Sequence, residues 1–184
     1  EILALRDDVW DDFNSRPADY FSMLSELGLL TEDQEAAFGY LPEQIVEAVR
    51  AFELDGRFLT ASLRGYQSFA ARFALVQRKV IVGDEMGLGK TIEALAVLAH
   101  RRAHGDQHFL VICPAALVTN WLREVSSKTE LRAHRIHGEY KKANARRWLQ
   151  EGGVAVTTFE TLAWLESEWI RPAELSCVVV DEAH

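Results

Sequence analysis

Cysteine is scarce in this chain: its 184 residues hold two, Cys113 and Cys177. Each lies in an apolar, strand-like run, so the pair reads as two reduced, buried thiols rather than a disulfide or a metal site. Long hydrophobic runs are missing as well. Although 48% of the residues are apolar, no run approaches the roughly 18 uncharged residues of a membrane-crossing helix, which points to a soluble globular chain without a membrane partner. No secretory leader is visible, but the chain opens on Glu1 rather than Met, so that absence excludes nothing. A chain of this length can bury one sizeable core and carry a small appended unit.

Basic residues are scarce in one region only. The net charge of −8 argues on its face against a nucleic-acid partner. Residues 1–60, however, hold four Lys/Arg (Arg6, Arg16, Arg50, Arg57) against fourteen Asp/Glu, a net of −10 that leaves +2 for the remainder. The acidity therefore belongs to the front of the chain. There the pattern is helical: Pro17 opens a segment that Gly28 can close, Thr31 to Gln34 has capping-box spacing, and Pro42 begins a stretch with Ile45, Val46, Val49 and Phe52 on one face that Gly56 ends. This makes residues 1–56 an acidic helical segment ahead of a larger domain, 57–184. Aspartates 7, 8, 11 and 12 around Val9, Trp10 and Phe13 read as a solvated face around an anchored Trp, with docking of a protein partner as the alternative.

What the chain does have is a phosphate-binding pattern. Val80-Ile81-Val82 predicts a strand, Ile92 to Leu98 predicts a helix, and between them runs Gly83-Asp84-Glu85-Met86-Gly87-Leu88-Gly89-Lys90-Thr91. Gly87 and Gly89 let the backbone curl so that successive N–H groups face one concavity, where a helix N-terminus also favours negative charge. Lys90 suits the β- and γ-phosphates of ATP, and the Thr91 hydroxyl suits Mg²⁺. Against the GxxxxGK[ST] pattern, Asp84 stands where the first Gly is expected and Gly83 sits one residue earlier. About ninety residues later the run Cys177-Val-Val-Val180 delivers Asp181-Glu182-Ala183-His184. A continuous apolar strand with two acids at its carboxyl end is the second half of an ATPase site. Asp181 would hold Mg²⁺ through water, and Glu182 would orient and deprotonate the attacking water, so Lys90, Asp181 and Glu182 are the catalytic candidates.

Taken together, Asp-Glu-Met-Gly-Leu-Gly-Lys-Thr resembles the first helicase motif of the Swi/Snf-type ATPases, DNA translocases of helicase superfamily two, and the ending resembles their Asp-Glu-Ala-His box. The resemblance runs from about Leu63 to His184. Leu63-Arg-Gly-Tyr-Gln67 is similar to the family's Leu-Arg-Pro-Tyr-Gln element, with Gly65 for Pro, which implies that Gln67 reads the adenine edge. The neighbouring Tyr66, Phe69 and Phe73 read as core. Cys113-Pro-Ala-Ala-Leu-Val-Thr-Asn-Trp121 follows a second predicted strand, Phe109 to Ile112, and resembles the motif whose loop lies near the DNA backbone, placing Thr119 and Asn120 there; Trp121 reads as a packing residue. After a strand at Val154 to Val156, Thr157-Thr158-Phe159-Glu160 resembles the Thr-Thr-Tyr-Glu element at the DNA face, with hydroxyls suited to phosphate oxygens.

Two clusters have plainer readings. His100, His104 and His108 lack the carboxylate or Cys set that would complete a metal site. Arg132, Arg135, Lys141, Lys142, Arg146 and Arg147 lie around a single acid, Glu139; binding of duplex DNA and an ordinary exposed surface are equal readings of them.

Strands alternating with helical patterns predict an α/β fold with a parallel sheet. The resemblance implies an incomplete RecA-like lobe that stops before the strand lying between the phosphate-loop strand and the acid-bearing strand. The expected parent is a DNA-dependent ATPase using ATP and Mg²⁺ to move along double-stranded DNA or remodel protein–DNA complexes, in the cytoplasm on the nucleoid if bacterial and in the nucleus if eukaryotic. The alternatives are an RNA-directed helicase with the same box, or a non-catalytic nucleotide-binding or protein-docking module. The family's catalytic arginines come from a second lobe, and such arginines supply factors of about 10³–10⁵. Residues 1–184 alone are accordingly expected to bind nucleotide weakly at most and to release phosphate negligibly; rapid metal-dependent turnover in a phosphate-release assay would contradict this.

Overall fold

A computed structural model describes residues 41–83, 88–170 and 174–182. The expected helix after Pro17, the capping box at Thr31 and the aspartates around Trp10 lie outside them. The chain falls into two compact units interleaved along the sequence: residues up to Phe52 with Arg64–Lys90, and Glu53–Leu63 with everything from Thr91.

In the first unit, α1 (Glu43–Ala51) starts after Pro42 as the sequence predicts, with Val49 buried, and stops at Phe52, four residues short of Gly56. It packs on α2 (Gly65–Gln77), where Phe69 and Phe73 stack one helical turn apart and Ala71 is buried. Val80-Ile81-Val82 is not a strand. A strand needs a ladder partner for its N–H and C=O groups, and among the described residues none pairs with this run; Ile81 is 98% exposed.

The second unit is a parallel α/β sheet. Its elements are α3 (Lys90–Ala103), β1 (His108–Ile112), α4 (Val118–Lys128), β2 (Ala133–Ile136), α5 (Lys141–Glu151), β3 (Gly153–Thr157), α6 (Phe159–Leu165) and β4 (Leu175–Val180). The strand order is β2-β3-β1-β4, all parallel. From β1 the chain passes β3 to reach the β2 edge, then returns through β3 to β4. Parallel crossovers are right-handed, so reversing direction must also switch faces. It does: Val118, Trp121 and Val125 of α4 join Ile92, Leu95 and Leu98 of α3 against Phe109, Val111, Val154 and Val156, whereas Ala145 and Trp148 of α5 and Leu165 of α6 cover Leu110, Ile112 and Ala155 on the other side. Alternate residues of β1 and β3 thus feed two separate cores, as the two-residue strand period requires.

The terminal strand is less buried than its apolar sequence suggests. Cys177 and Val179 face the α3/α4 core, while Val178 and Val180 on the opposite face are about half exposed. Cys113 is fully buried, Cys177 partly so, and both are free thiols. The segment predicted as extended, Arg57 to Leu63, runs alongside the end of α4: Thr60 N–H donates to the Lys128 carbonyl and Glu130 N–H to the Phe58 carbonyl, each at 2.9 Å, around a single antiparallel bridge between Leu59 and Thr129. Phe58, Leu59, Ala61 and Leu63 extend the core there. No described helix is long and apolar enough to cross a membrane.

Strand β2 is absent from the sequence reading, hidden inside the basic cluster. Its period-two pattern is visible in retrospect: His134 and Ile136 are buried, Arg135 is exposed. His134 Nε2 bonds the Gly152 carbonyl at 2.9 Å, and burial lowers its pKa below the ordinary imidazole value despite that bond. A lowered folded pKa favours the neutral ring, so the unfolded chain takes up a proton first as pH falls. Stability contributed by His134 is whole above about pH 6.5 and is lost as pH drops below it. Between pH 7.5 and 5, urea midpoints are expected to fall less steeply in His134→Gln than in the natural chain; parallel slopes would remove the assignment.

Candidate nucleotide site

The carboxyl ends of the four strands are stitched side by side one step beyond the ladder. The Thr157 hydroxyl donates to the Ile136 carbonyl, Cys113 N–H to the Thr157 carbonyl, and Asp181 N–H to the Ile112 carbonyl, at 2.9, 3.0 and 2.9 Å. In open α/β sheets this is the end where ligands sit. Asp181 is fixed twice, because its Oδ2 also accepts the indole N–H of Trp121 at 2.8 Å. Its Oδ1 has no hydrogen-bond partner among the described residues. The next residue, Glu182, is exposed and has φ 52°, a left-handed conformation uncommon for a side chain of its size. Cys113, close by, has its thiol pushed up to about 11, first by burial and then by the charge of Asp181. It is an inert core thiol, not a nucleophile.

Of the glycine-rich loop, Asp84, Glu85, Met86 and Gly87 lie outside the described residues. Gly89 has φ 93°, which glycine adopts without cost, and it turns the chain into α3, whose first two residues are Lys90 and Thr91. The Leu88 carbonyl accepts two bonds, from the Tyr66 hydroxyl at 2.8 Å and from Gln67 Nε2 at 2.9 Å. Gln67 Oε1 meanwhile accepts the Arg64 N–H at 3.0 Å. Both ends of the amide expected to face adenine are thus engaged with backbone, and the side chain is buried. In this structure Gln67 braces the loop that precedes Lys90, a role the sequence reading missed.

A hydroxyl and a carboxylate are hard oxygen donors of the kind Mg²⁺ takes, alongside water and phosphate. Thr91 and Asp181 fit that ion on chemistry, and Oδ1 of Asp181, which no described residue engages, gives it somewhere to bind. The histidines instead meet backbone groups: His100 Nδ1 accepts the Asp55 N–H, His104 Nδ1 bonds the His100 carbonyl and His108 Nε2 the Leu149 carbonyl.

The four residues expected at DNA divide in two. Thr157 and Thr158 are at most 1% exposed. The Thr157 hydroxyl ties β3 to β2, as above, and that of Thr158 caps α6 by accepting the Thr161 N–H at 3.3 Å. Their hydroxyls point inward, so the expectation that they reach phosphate oxygens does not describe this structure; strand pairing and helix capping take them first. Thr119 is exposed and its hydroxyl accepts from Arg135 at 2.7 Å, while Asn120 Oδ1 accepts from Arg123. These two keep basic partners on the surface. Within the basic cluster, Arg132 and Arg147 pair with Glu151, and the Lys141 ammonium sits 4.6 Å from the Trp164 ring centre. Lys142 and Arg146 are exposed.

A family model described as SNF2-related domain matches residues 42–184. Among curated proteins, the rat chromodomain-helicase-DNA-binding protein 6 is 35% identical over 144 residues, covering 66% of this chain and 5% of that protein. The mouse DNA excision repair protein ERCC-6-like 2 is 29% identical over 194 residues, covering 85% of this chain and 13% of its own length. The chain therefore spans only a small part of the curated relatives it matches. Among solved structures, a SWI2/SNF2 ATPase core from Sulfolobus solfataricus in complex with dsDNA aligns with TM-score 0.59 and 29% identity over 72% of this chain and 28% of that one. The UvsW helicase of bacteriophage T4, 18% identical with TM-score 0.55 over 79% of this chain and 52% of that one, shares the fold. These matches do not favour an RNA-directed helicase.

The inward role of Thr158 has a measurable consequence. Thr158→Ala removes a helix cap and is expected to lower unfolding free energy by about 1–2 kcal/mol in urea titrations, whereas Thr119→Ala, at an exposed position, is expected to stay within about 0.5 kcal/mol. Equal effects at the two positions would contradict the assignment.

Proposed function

The chain belongs to the SNF2-related domain family, and from that premise we propose that it is the ATP-binding part of an ATPase that moves along duplex DNA. The observation that carries the reading is the setting of Asp181: at the carboxyl end of β4, bonded through its backbone to β1, with one carboxylate oxygen held by Trp121 and the other engaged by no described residue. When bound, Mg²⁺ would neutralise charge on the nucleotide's phosphates. Asp181 and Thr91 would hold the ion, and Lys90 would contribute a positive charge to the phosphates. Glu182 accepts a proton from the water that attacks the γ-phosphorus. Gln67 keeps a second amide hydrogen and a second lone pair of Oε1 beyond its bonds to the Leu88 carbonyl and the Arg64 N–H, so the same side chain can brace the loop before Lys90 and read adenine.

Duplex DNA as the partner is supported by the dsDNA complex of the Sulfolobus ATPase core and by the names of the chromodomain-helicase relatives. On this chain, exposed Thr119 and half-buried Asn120 with their partners Arg135 and Arg123 are the polar groups best suited to phosphate contact. Lys142 and Arg146 can add charge, giving binding that weakens with salt.

In the intact protein carrying this chain, duplex DNA is expected to stimulate phosphate release, and Glu182→Gln or Lys90→Ala to lower kcat by about 10²–10⁴-fold. Stimulation by RNA above that by duplex DNA, or an unchanged rate in Glu182→Gln, would sink the proposal.

A further inference from the structure

We propose that Trp121 is the positioning residue of the metal site, acting through its indole N–H on Asp181. The inference rests on the reading of Asp181 given above and assigns Trp121 a role beyond filling the core. It is 2% exposed and belongs to the same α3/α4 core cluster as Val111, Cys113, Val118 and Val125, so its ring is held in an apolar core. An indole has one hydrogen-bond donor and no acceptor. Here that single donor, 60 residues away in sequence, meets Oδ2 of Asp181 at 2.8 Å, a well-formed N–H···O bond.

Asp181 needs such a restraint. Its backbone is fixed by the bond to Ile112, but a carboxylate at the tip of a strand rotates about its side-chain bonds unless something holds it. With Oδ2 engaged from the core side, Oδ1 is the oxygen left to face outward. The carboxylate then presents one oxygen in one direction, which a loosely held group would do only part of the time. Partners behind a metal ligand commonly contribute about 10–100-fold in metal affinity through this kind of orientation. The rigid aromatic body fixes where the donor lies, and the donor fixes the acid. Phenylalanine would keep most of the packing and lose the bond.

The test is made on the intact protein that carries this chain, with Mn²⁺ followed by electron paramagnetic resonance in the presence of a non-hydrolysable ATP analogue. Trp121→Phe is expected to weaken Mn²⁺ binding by about 10–100-fold while leaving affinity for the metal-free analogue unchanged. A purely structural loss would move both. Unchanged Mn²⁺ affinity in Trp121→Phe, with Asp181→Asn weakened, overturns the positioning role and leaves the site assignment standing. Unchanged affinity in both variants overturns the assignment of Asp181 and this proposal with it. Should Trp121→Phe fail to fold, the contact is read in the natural residue: the indole N–H resonance of Trp121 is expected to move upfield in Asp181→Ala, and a resonance that stays in place overturns the proposal.

Discussion

Strand β1 is the constraint on which the larger unit depends. Its five residues are laddered on one side to β3 and on the other to β4, so three of the four strands share its backbone. The last carbonyl of that strand then accepts the N–H of Asp181, and the residue after it, Cys113, donates to Thr157. One short apolar run thereby sets the height at which the acid emerges relative to the loops after β1 and β3. Loss of ladder bonds in β1 would shift the acid as well as weaken the sheet, since both use the same peptide groups.

The two cores do different jobs. On the α5/α6 side, Trp148 is fully buried, its N–H donates to the Gly153 carbonyl at 3.0 Å, and His108 meets its ring edge-on. That side locks the amino ends of the strands. There Gly153, at φ 101°, lies so close to Arg132 that any side chain would overlap the Arg132 carbonyl, and only a glycine lets β3 start beside β2. On the α3/α4 side, α3 begins with Lys90 and Thr91 and α4 brings Trp121 to Asp181. Division of labour between faces follows from the alternation of side chains along each strand.

Much of this was legible in the sequence, and the reasons are specific. Strands β1, β3 and β4 show as apolar runs because each is covered by at least one helix layer, and Gly-Lys-Thr and Asp-Glu stand out as the residue types a phosphate loop and a strand-end acid pair would use. Strand β2 was hidden because an edge strand exposes Arg135 and fills one inward place with His134, so its pattern dissolved into a basic cluster. Val80-Ile81-Val82 misled in the other direction: apolar composition supplies a face to bury but no ladder partner. Trp121 was read as packing, which is correct for its ring and silent about its N–H. No local spacing links positions 121 and 181; the contact exists only because α4 lies across the sheet. The threonines 157 and 158 failed as surface ligands for a similar reason, since a hydroxyl at the end of a strand is claimed by the neighbouring carbonyl or the next helix before solvent can use it.

The left-handed backbone of Glu182 sets evolutionary stability against chemistry at one position. Holding a glutamate there costs on the order of 1–2 kcal/mol relative to residues that tolerate the conformation. Heat-based laboratory evolution of this domain would therefore enrich glycine or asparagine at that site, improving thermal tolerance while discarding the carboxylate that follows Asp181 at the end of β4. A lineage under pressure only to persist would drift toward a sturdier copy without that side chain, and one in which the carboxylate is needed would retain the less comfortable acid.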